Sequence, residues 1–301
     1  MAYTRSIKAG PAHDRKRSGK ADGPGFRPNK RLGQHFLVDR KIIHKIITRA
    51  RFQASDLVLE IGPGQGSLTL PLARTVCHVV AVEKDRNLIL SLEKKLHRSG
   101  ITNVTLVNAD ILKWDFREIE SAPSSKIQVI GNLPYNISSP FLEKLIENRH
   151  RVARAVLMFQ LEVGRRITAC PGGKAYGAMS LLVQYHAHPT ALIDVTKEAF
   201  YPRPKVDSMV LDLDFESPYP KGITVHEPSF RQVVKGAFAH RRKTLINSLS
   251  GVSPSFNRDV LLAAMKKCEI DPGRRAETLD MEEFLCLAEA LSLTNRSGND
   301  S

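Results

Sequence analysis

The sequence has a single tryptophan and only four cysteines in 301 residues. Cys77, Cys170, Cys268 and Cys286 form no C-x-x-C pair and do not cluster with histidine. Neither a structural zinc site nor a disulfide framework is therefore expected, and a reducing compartment fits. No run of 18 apolar residues occurs, which excludes a membrane-spanning helix. The N-terminal stretch is basic but has no apolar core, which argues against a secretory signal. Asp14, Asp22 and three prolines in the first 28 residues also argue against an amphipathic presequence. A cytoplasmic protein is the expectation. His44, His78, His186, His188 and His226 lack metal-ligand spacing and read as structural or surface residues, so no metal is expected.

What the chain has in excess is positive charge, a formal +14. The excess is not spread evenly. Residues 1–31 carry a net +7, residues 221–275 carry another +7, and the remainder is neutral. Localised positive charge on a chain with 42% hydrophobic residues points to a polyanion partner, most simply nucleic acid.

Residues 1–29 are rich in Gly, Pro, Lys and Arg and read as a disordered basic arm. A first domain is expected over 30–216. Asp39 can cap a helix whose apolar positions are Ile42, Ile43, Ile46, Ile47 and Ala50. Continuous apolar runs then predict strands at Leu57–Ile61, Val76–Glu83, Val104–Val107, Ile127–Gly131 and Ala155–Phe159. Helices are expected at 67–74, 85–98 and 138–148. Continuous rather than alternating runs mark a parallel sheet covered on both faces. The strand–helix repeat predicts a doubly wound, Rossmann-like α/β domain. Ala191–Val195 and Val206–Phe215 read as a pair closing the sheet, at least partly antiparallel. Residues 217–222 are a linker signal, and only helical patterns follow, at 228–239, 241–250, 256–267 and 280–292. This predicts a small all-α domain over 217–294 and a flexible tail over 295–301.

Glu60-Ile61-Gly62-Pro63-Gly64-Gln65-Gly66 follows the first predicted strand of the α/β domain and opens a helix. The G-x-G-x-G spacing differs from the G-x-G-x-x-G of dinucleotide loops. Glu60 before the first glycine would repel a pyrophosphate but suits a cationic ligand such as S-adenosyl-L-methionine. Glu83, at the end of the second such strand, can accept hydrogen bonds from ribose hydroxyls. Asp110, after the third, can accept from an adenine amine. A nicotinamide oxidoreductase fails on the glycine spacing and on the lack of a catalytic His/Lys/Tyr set.

The fourth strand ends in Gly131-Asn132-Leu133-Pro134-Tyr135-Asn136. An exocyclic amine on a base is a poor nucleophile because its lone pair is delocalised into the ring. Two acceptors aimed at its hydrogens favour the pyramidal form that exposes that pair. Asn132 can supply a side-chain carbonyl, and Leu133 or Pro134 a backbone carbonyl. Tyr135 can stack on a base taken out of its helix.

In these loops the chain resembles the small-subunit ribosomal RNA adenine dimethyltransferases and, more distantly, the erythromycin-resistance rRNA methylases. Further matching stretches are Lys30–Leu37, Phe159–Gly164, Lys174–Gln184, Phe200–Ser208, Phe238–Leu245 and Arg275–Phe284. The last two favour the small-subunit enzymes. The resemblance implies that His35 and Leu37 contact S-adenosyl-L-methionine and that Gly62 lies under its methionine part; Glu60 and Gly64 are cofactor-binding candidates from the loop itself. The resemblance also implies that Glu83 binds the ribose, Asp110 the adenine, and that Asn132 sits between cofactor and target. His35 stands where many relatives have asparagine. Phe200 is implied to flank the target base opposite Tyr135. The implied reaction is N6-dimethylation of two adjacent adenosines near the 3′ end of 16S rRNA, within the 30S subunit or its precursor; a monomer is expected.

Arg241-Arg242-Lys243 is expected at a helix start, where cations oppose the helix dipole and need another reason, such as phosphate contact. Arg165, Arg166, Arg203 and Lys205 are expected near the active edge, gripping RNA. The alternatives are a large-subunit methylase and a nucleic-acid-binding transcription factor on the same fold. The intact cofactor and target loops argue against the latter.

Overall fold

The computed structural model describes residues 33–119, 126–218, 226–253 and 256–297, with side chains described as far as 292. The expected basic arm, residues 219–222 of the expected linker and residues 298–301 lie outside the described residues.

β1 (Phe36–Leu37) leads into α1 (Arg40–Ala50). Asp39 starts that helix: its side chain accepts from the backbone N–H of Lys41 and Ile42 at 2.8 and 3.2 Å. These are two of the donors that a helix start leaves without partners. β2 (Leu57–Ile61), the short α2 (Thr69–Leu72), β3 (His78–Glu83), α3 (Arg86–Arg98) and β4 (Val104–Asn108) follow. Then come β5 (Ile127–Asn132), α4 (Ser138–Glu147), β6 (Val152–Gln160), α5 (Leu161–Ile167) and α6 (Ala178–His186). β7 (His188–Val195), β8 (Phe200–Tyr201) and β9 (Ser208–Asp214) complete the sheets.

The main sheet has the order β4-β3-β2-β5-β6-β9-β7. The five strands from β4 to β6 are parallel, while β9 pairs antiparallel with both β6 and β7. The expected closing pair is present and shares an edge with the parallel body. Strand order reverses between β2 and β5, which places the ligand crevice at their carboxyl ends. β1 and β8 form a separate two-residue ribbon, Phe36 opposite Tyr201 and Leu37 opposite Phe200.

The strands alternate between two apolar layers, as a period of two demands. On one face Leu59, Ile61, Ala155, Leu157 and Phe159 pack with Phe141 and Leu145 of α4. On the other, Val58, Val156 and Met158 pack with Ile46 and Ala50 of α1 and with Leu72. Burying both faces explains the unbroken apolar runs, each fully buried Leu, Ile or Phe contributing about 1.5–3 kcal/mol.

The helical body is formed by α7 (Glu227–Ala237), α8 (Leu245–Leu249), α9 (Arg258–Lys267) and α10 (Met281–Ser297) around Phe230, Leu261 and Phe284. Tyr176 and Leu181, from the sequence around α6, are part of this same core. In sequence the two bodies separate near 217; in space α6 serves both. Glu227 adds a polar clasp at the junction. It meets Arg149 at 3.1 Å, His186 at 3.3 Å and Arg231 at 3.5 Å.

Four expectations are corrected. The helix expected over 241–250 begins only at Leu245, and Arg241, Arg242 and Lys243 occupy the turn between α7 and α8. These three cations therefore do not oppose a helix dipole. α10 continues to Ser297, into the stretch expected as a tail. The helix expected over 67–74 is reduced to four residues. Finally, Cys268 and Cys286 form a disulfide with Cα atoms 5.8 Å apart, where none was expected. Packing of α9 beside α10 brings together two cysteines 18 residues apart. Cys77 and Cys170 are free and exposed.

Candidate active site

A cavity opens at the carboxyl ends of β2, β3, β4 and β5 and is also lined by β1. Every residue expected to bind the cofactor lines it: His35, Leu37, Glu60, Gly62, Gly64, Glu83, Asp110 and Asn132. Leu133, Pro134 and Tyr135 line it as well.

The glycine loop has no room for side chains at two points. A Cβ on Gly64 would sit 3.0 Å from the Phe36 ring, and one on Gly66 would meet Leu92 at 2.4 Å. Both residues have positive φ, +56° and +83°, where glycine carries no Cβ penalty. Beneath the loop, Glu60 is 1% exposed and its Oε2 has no hydrogen-bond partner. Burial, reinforced by nearby Glu83, pushes the Glu60 carboxyl up to about 8. Glu83 accepts from the Gly64 N–H at 3.2 Å and the Asp85 N–H at 2.9 Å, so the glycine loop and β3 are tied together. Burial raises the Glu83 carboxyl too. Asp110 accepts from Lys84 Nζ at 2.9 Å and from the Leu112 N–H at 3.1 Å, and the lysine holds its carboxyl below the ordinary range.

At the end of β5, Asn132 Nδ2 donates to the His35 carbonyl at 2.9 Å. This bond commits the amide NH2 to the residue just before β1 and leaves the side-chain oxygen as the acceptor. Pro134 lends its carbonyl to the Ile137 N–H at 3.0 Å, closing a 3₁₀ turn over Tyr135–Ile137. Of the two backbone carbonyls considered from sequence, that of Leu133 is the one not engaged in this turn. The Tyr135 hydroxyl is 2.8 Å from Ser208 Oγ, and its ring stands 6.0 Å from the His35 ring at 26°. His35 Nδ1 lies 2.7 Å from the Pro202 carbonyl, a contact in which that nitrogen must carry the proton and donate. His35 therefore spends both its side chain and its backbone carbonyl on holding the segment in place. Ser67 Oγ donates to the Leu37 carbonyl at 2.8 Å and fastens the next residue.

Phe200 does not line the cavity: it is 4% exposed and packs with Leu37, Val195 and Ala199. Its neighbour Tyr201 is exposed. Arg165 and Arg166 are exposed on α5, with Arg166 paired to Glu162. Arg203 meets Glu198 at 3.6 Å, and Lys205 is exposed. Arg241 donates to the Lys174 carbonyl at 2.8 Å, bringing its turn against the 170–177 segment. Sequence reading missed Ser208, Lys84 and Pro202, each of which touches a site residue only through tertiary contact.

Among the described residues no group of three His, Cys, Asp or Glu side chains is placed to hold a metal, and no helix is long and apolar enough to cross a membrane.

Comparison with known proteins decides the family. The description "Ribosomal RNA adenine dimethylase" matches residues 25–292. The chain belongs to the ribosomal RNA adenine dimethylase family. It is 46% identical over 262 residues to the ribosomal RNA small subunit methyltransferase A of Desulforapulum autotrophicum, covering 87% of this chain and 91% of the relative. It is 43% identical over 276 residues to the protein of the same name from Moorella thermoacetica, covering 89% and 93%. Among solved structures, a dimethyladenosine transferase from Plasmodium falciparum superposes with a TM-score of 0.73 at 29% identity, covering 87% of this chain and 98% of that one. The 23S rRNA methyltransferase ErmE superposes with a TM-score of 0.65 at 28% identity, covering 85% and 99%. The family member is thus an α/β methyltransferase with a helical C-terminal body, as its sequence led us to expect.

Proposed function

We propose that this enzyme uses S-adenosyl-L-methionine to dimethylate N6 of two adjacent adenosines near the 3′ end of 16S rRNA, in the small ribosomal subunit or its precursor. The higher identity to small-subunit methyltransferases than to ErmE supports this target over a large-subunit one.

The cavity fits the cofactor. Its orphaned Glu60 oxygen lies under a loop whose close approach only glycine allows, and its acidic edge suits a cation with a ribose and no phosphate. When bound there, S-adenosyl-L-methionine supplies a methyl group already activated on a sulfonium. The chain's own residues do the rest. Glu60 accepts from the ammonium end. Glu83 orients the ribose hydroxyls, and Asp110 accepts from the adenine amine. His35 and Leu37 close the cavity over the cofactor by way of β1. Asn132 Oδ1 and the Leu133 carbonyl accept from the two N6 hydrogens of the target, so that its lone pair faces the methyl group. Tyr135 stacks on the base. Phe200 supports that pocket from the apolar layer below. A strong base would not be needed: the cofactor would give up its activated methyl group and leave as a neutral thioether, and the alkylated N6, then cationic, would release its proton to water.

Arg165, Arg166, Arg203, Lys205, Arg241, Arg242 and Lys243 hold the RNA backbone. We infer a monomer without metal, working in the cytoplasm where ribosomes are assembled.

One observation carries the reading. The Asn132 amide is locked by the His35 carbonyl in the same cavity as the Glu83 and Asp110 carboxylates and the Tyr135 ring. The test is incubation of the protein and labelled S-adenosyl-L-methionine with undermodified 30S and 50S particles, followed by mapping of methylated adenosines. Two adjacent dimethylated adenosines on the small subunit are expected; label on the large subunit alone overturns the proposal.

A further inference from the structure

We propose that Tyr201 is a second stacking platform at the mouth of the active site, taking the nucleobase next to the target adenosine in single-stranded rRNA. The inference rests on the proposed RNA methylation and deepens it.

Tyr201 is the most exposed of the large apolar side chains among the described residues, at 58%. At that exposure its ring presents a large apolar face to water, available for stacking. Its position is fixed by the site. Tyr201 pairs with Phe36 across the β1–β8 ribbon. The next residue, Pro202, receives the His35 Nδ1 proton at 2.7 Å, and the His35 ring stands 6.0 Å from Tyr135. An unbroken series of contacts thus runs from the ring proposed to hold the target base to the ring exposed at the rim.

Two further apolar side chains, Val38 at 48% and Val206 at 43%, are exposed on the segments that meet there. Val38 donates its N–H to the Ala199 carbonyl at 2.8 Å, which binds the two segments together. The chemistry around the ring favours nucleic acid over protein. Arg203 and Lys205 follow Tyr201 closely and are exposed, so a π surface and backbone-seeking cations share one short loop. That combination is how sequence-tolerant single-strand sites are built: aromatic rings for bases, Lys and Arg for phosphates. Phe200, inside the apolar layer, cannot offer its face to a base in this conformation, whereas Tyr201 can.

The test uses the full chain as wild type, Tyr201→Ala and Tyr201→Phe. Short single-stranded oligoribonucleotides carry 2-aminopurine on the 5′ or the 3′ side of an adenosine, and quenching of its fluorescence reports stacking. Quenching is expected with wild type and Tyr201→Phe for one of the two placements. Tyr201→Ala should lose it and bind about 5- to 100-fold more weakly. Unaltered quenching in Tyr201→Ala, no quenching by wild type at either placement, or a Tyr201→Phe variant as weak as Tyr201→Ala would overturn the platform. Transfer to 30S particles is measured alongside, with KM raised and kcat held in Tyr201→Ala. If wild type transfers no methyl to the particles, the functional reading fails, and the fluorescence result still decides the platform. Binding of S-adenosyl-L-methionine should be equal in all three proteins, because Tyr201 is outside the cofactor cavity.

Discussion

Tyr135 can hold a base only if its own ring is held, and Ser208 does this from inside the sheet. Ser208 is fully buried at the start of β9, between Gln160 of β6 and Val195 of β7. A hydroxyl in that position needs a partner, and the Tyr135 hydroxyl at 2.8 Å is that partner. Removing either oxygen leaves the other short of a bond. Ser208→Ala and Tyr135→Phe should each destabilise the fold by about 1 kcal/mol. The double variant should cost little more than either alone, because the bond is lost only once. Urea unfolding of the four proteins checks this; strictly additive losses would mean that the two hydroxyls do not interact. In single-turnover transfer, both single variants should slow the reaction more than they weaken cofactor binding. Ser208 was legible in the sequence only as part of a matching stretch. Nothing in its local pattern says that a serine at the start of one strand steers a tyrosine 73 residues earlier.

Elements differ in how far their sequences announce them. β2 to β6 and α3 are plain from apolar runs and from the Asp85 cap, because burial on both faces leaves a strong local imprint. α5 and α6 are not, since Gly164, Gly172, Gly173 and Gly177 break the region and the apolar run after it fits either a strand or a helix. The ribbon of β1 and β8 is too short to leave a pattern, although β1 lines the cavity. The start of α8 was misplaced because basic residues form helices readily, while Thr244 provides the extended residue from which Leu245 begins. The Cys268–Cys286 bond was hidden for a different reason: helix packing, not spacing, makes the pair. It closes a short loop and constrains the unfolded chain by about 3 kcal/mol. Thiol titration of protein unfolded without reductant should find two reactive groups, Cys77 and Cys170, and four after reduction. Four before reduction would show that α9 and α10 hold together by packing alone.

The whole molecule places opposite charges in different regions. The cavity gathers the Glu83 and Asp110 carboxyls over the protonated Glu60, and the second basic block falls on the helical body and its connections. Two buried groups then set the pH range of stability from opposite sides. The folded chain keeps the Glu60 proton to about 8, whereas the unfolded chain releases it near 4.5. Stability from this group is complete below 4.5 and is lost as pH rises towards 8, and Glu83 acts in the same direction. His186 works the other way. Burial keeps it neutral against the pull of Glu227, so stability is lost as pH falls below about 6.5, where the unfolded chain takes up the proton. Denaturation between pH 5 and 9 should therefore show Glu60→Gln with a shallower alkaline decline than wild type. An identical decline would remove Glu60 from this account.

That α6 is common to two cores also bears on how such proteins can be recombined. Tyr176 and Leu181 complete the helical body's interior, while Val183 and Ala187 belong to the sheet's. A graft that takes a relative's C-terminal body at the linker would bring half of an interface and leave its mate behind. The exchangeable piece is not the one the linker suggests: α6 and its neighbours must travel with the helices they fill, or the host must already carry a matching pair. Divergence of the helical body is thereby tied to divergence in the middle of the α/β fold.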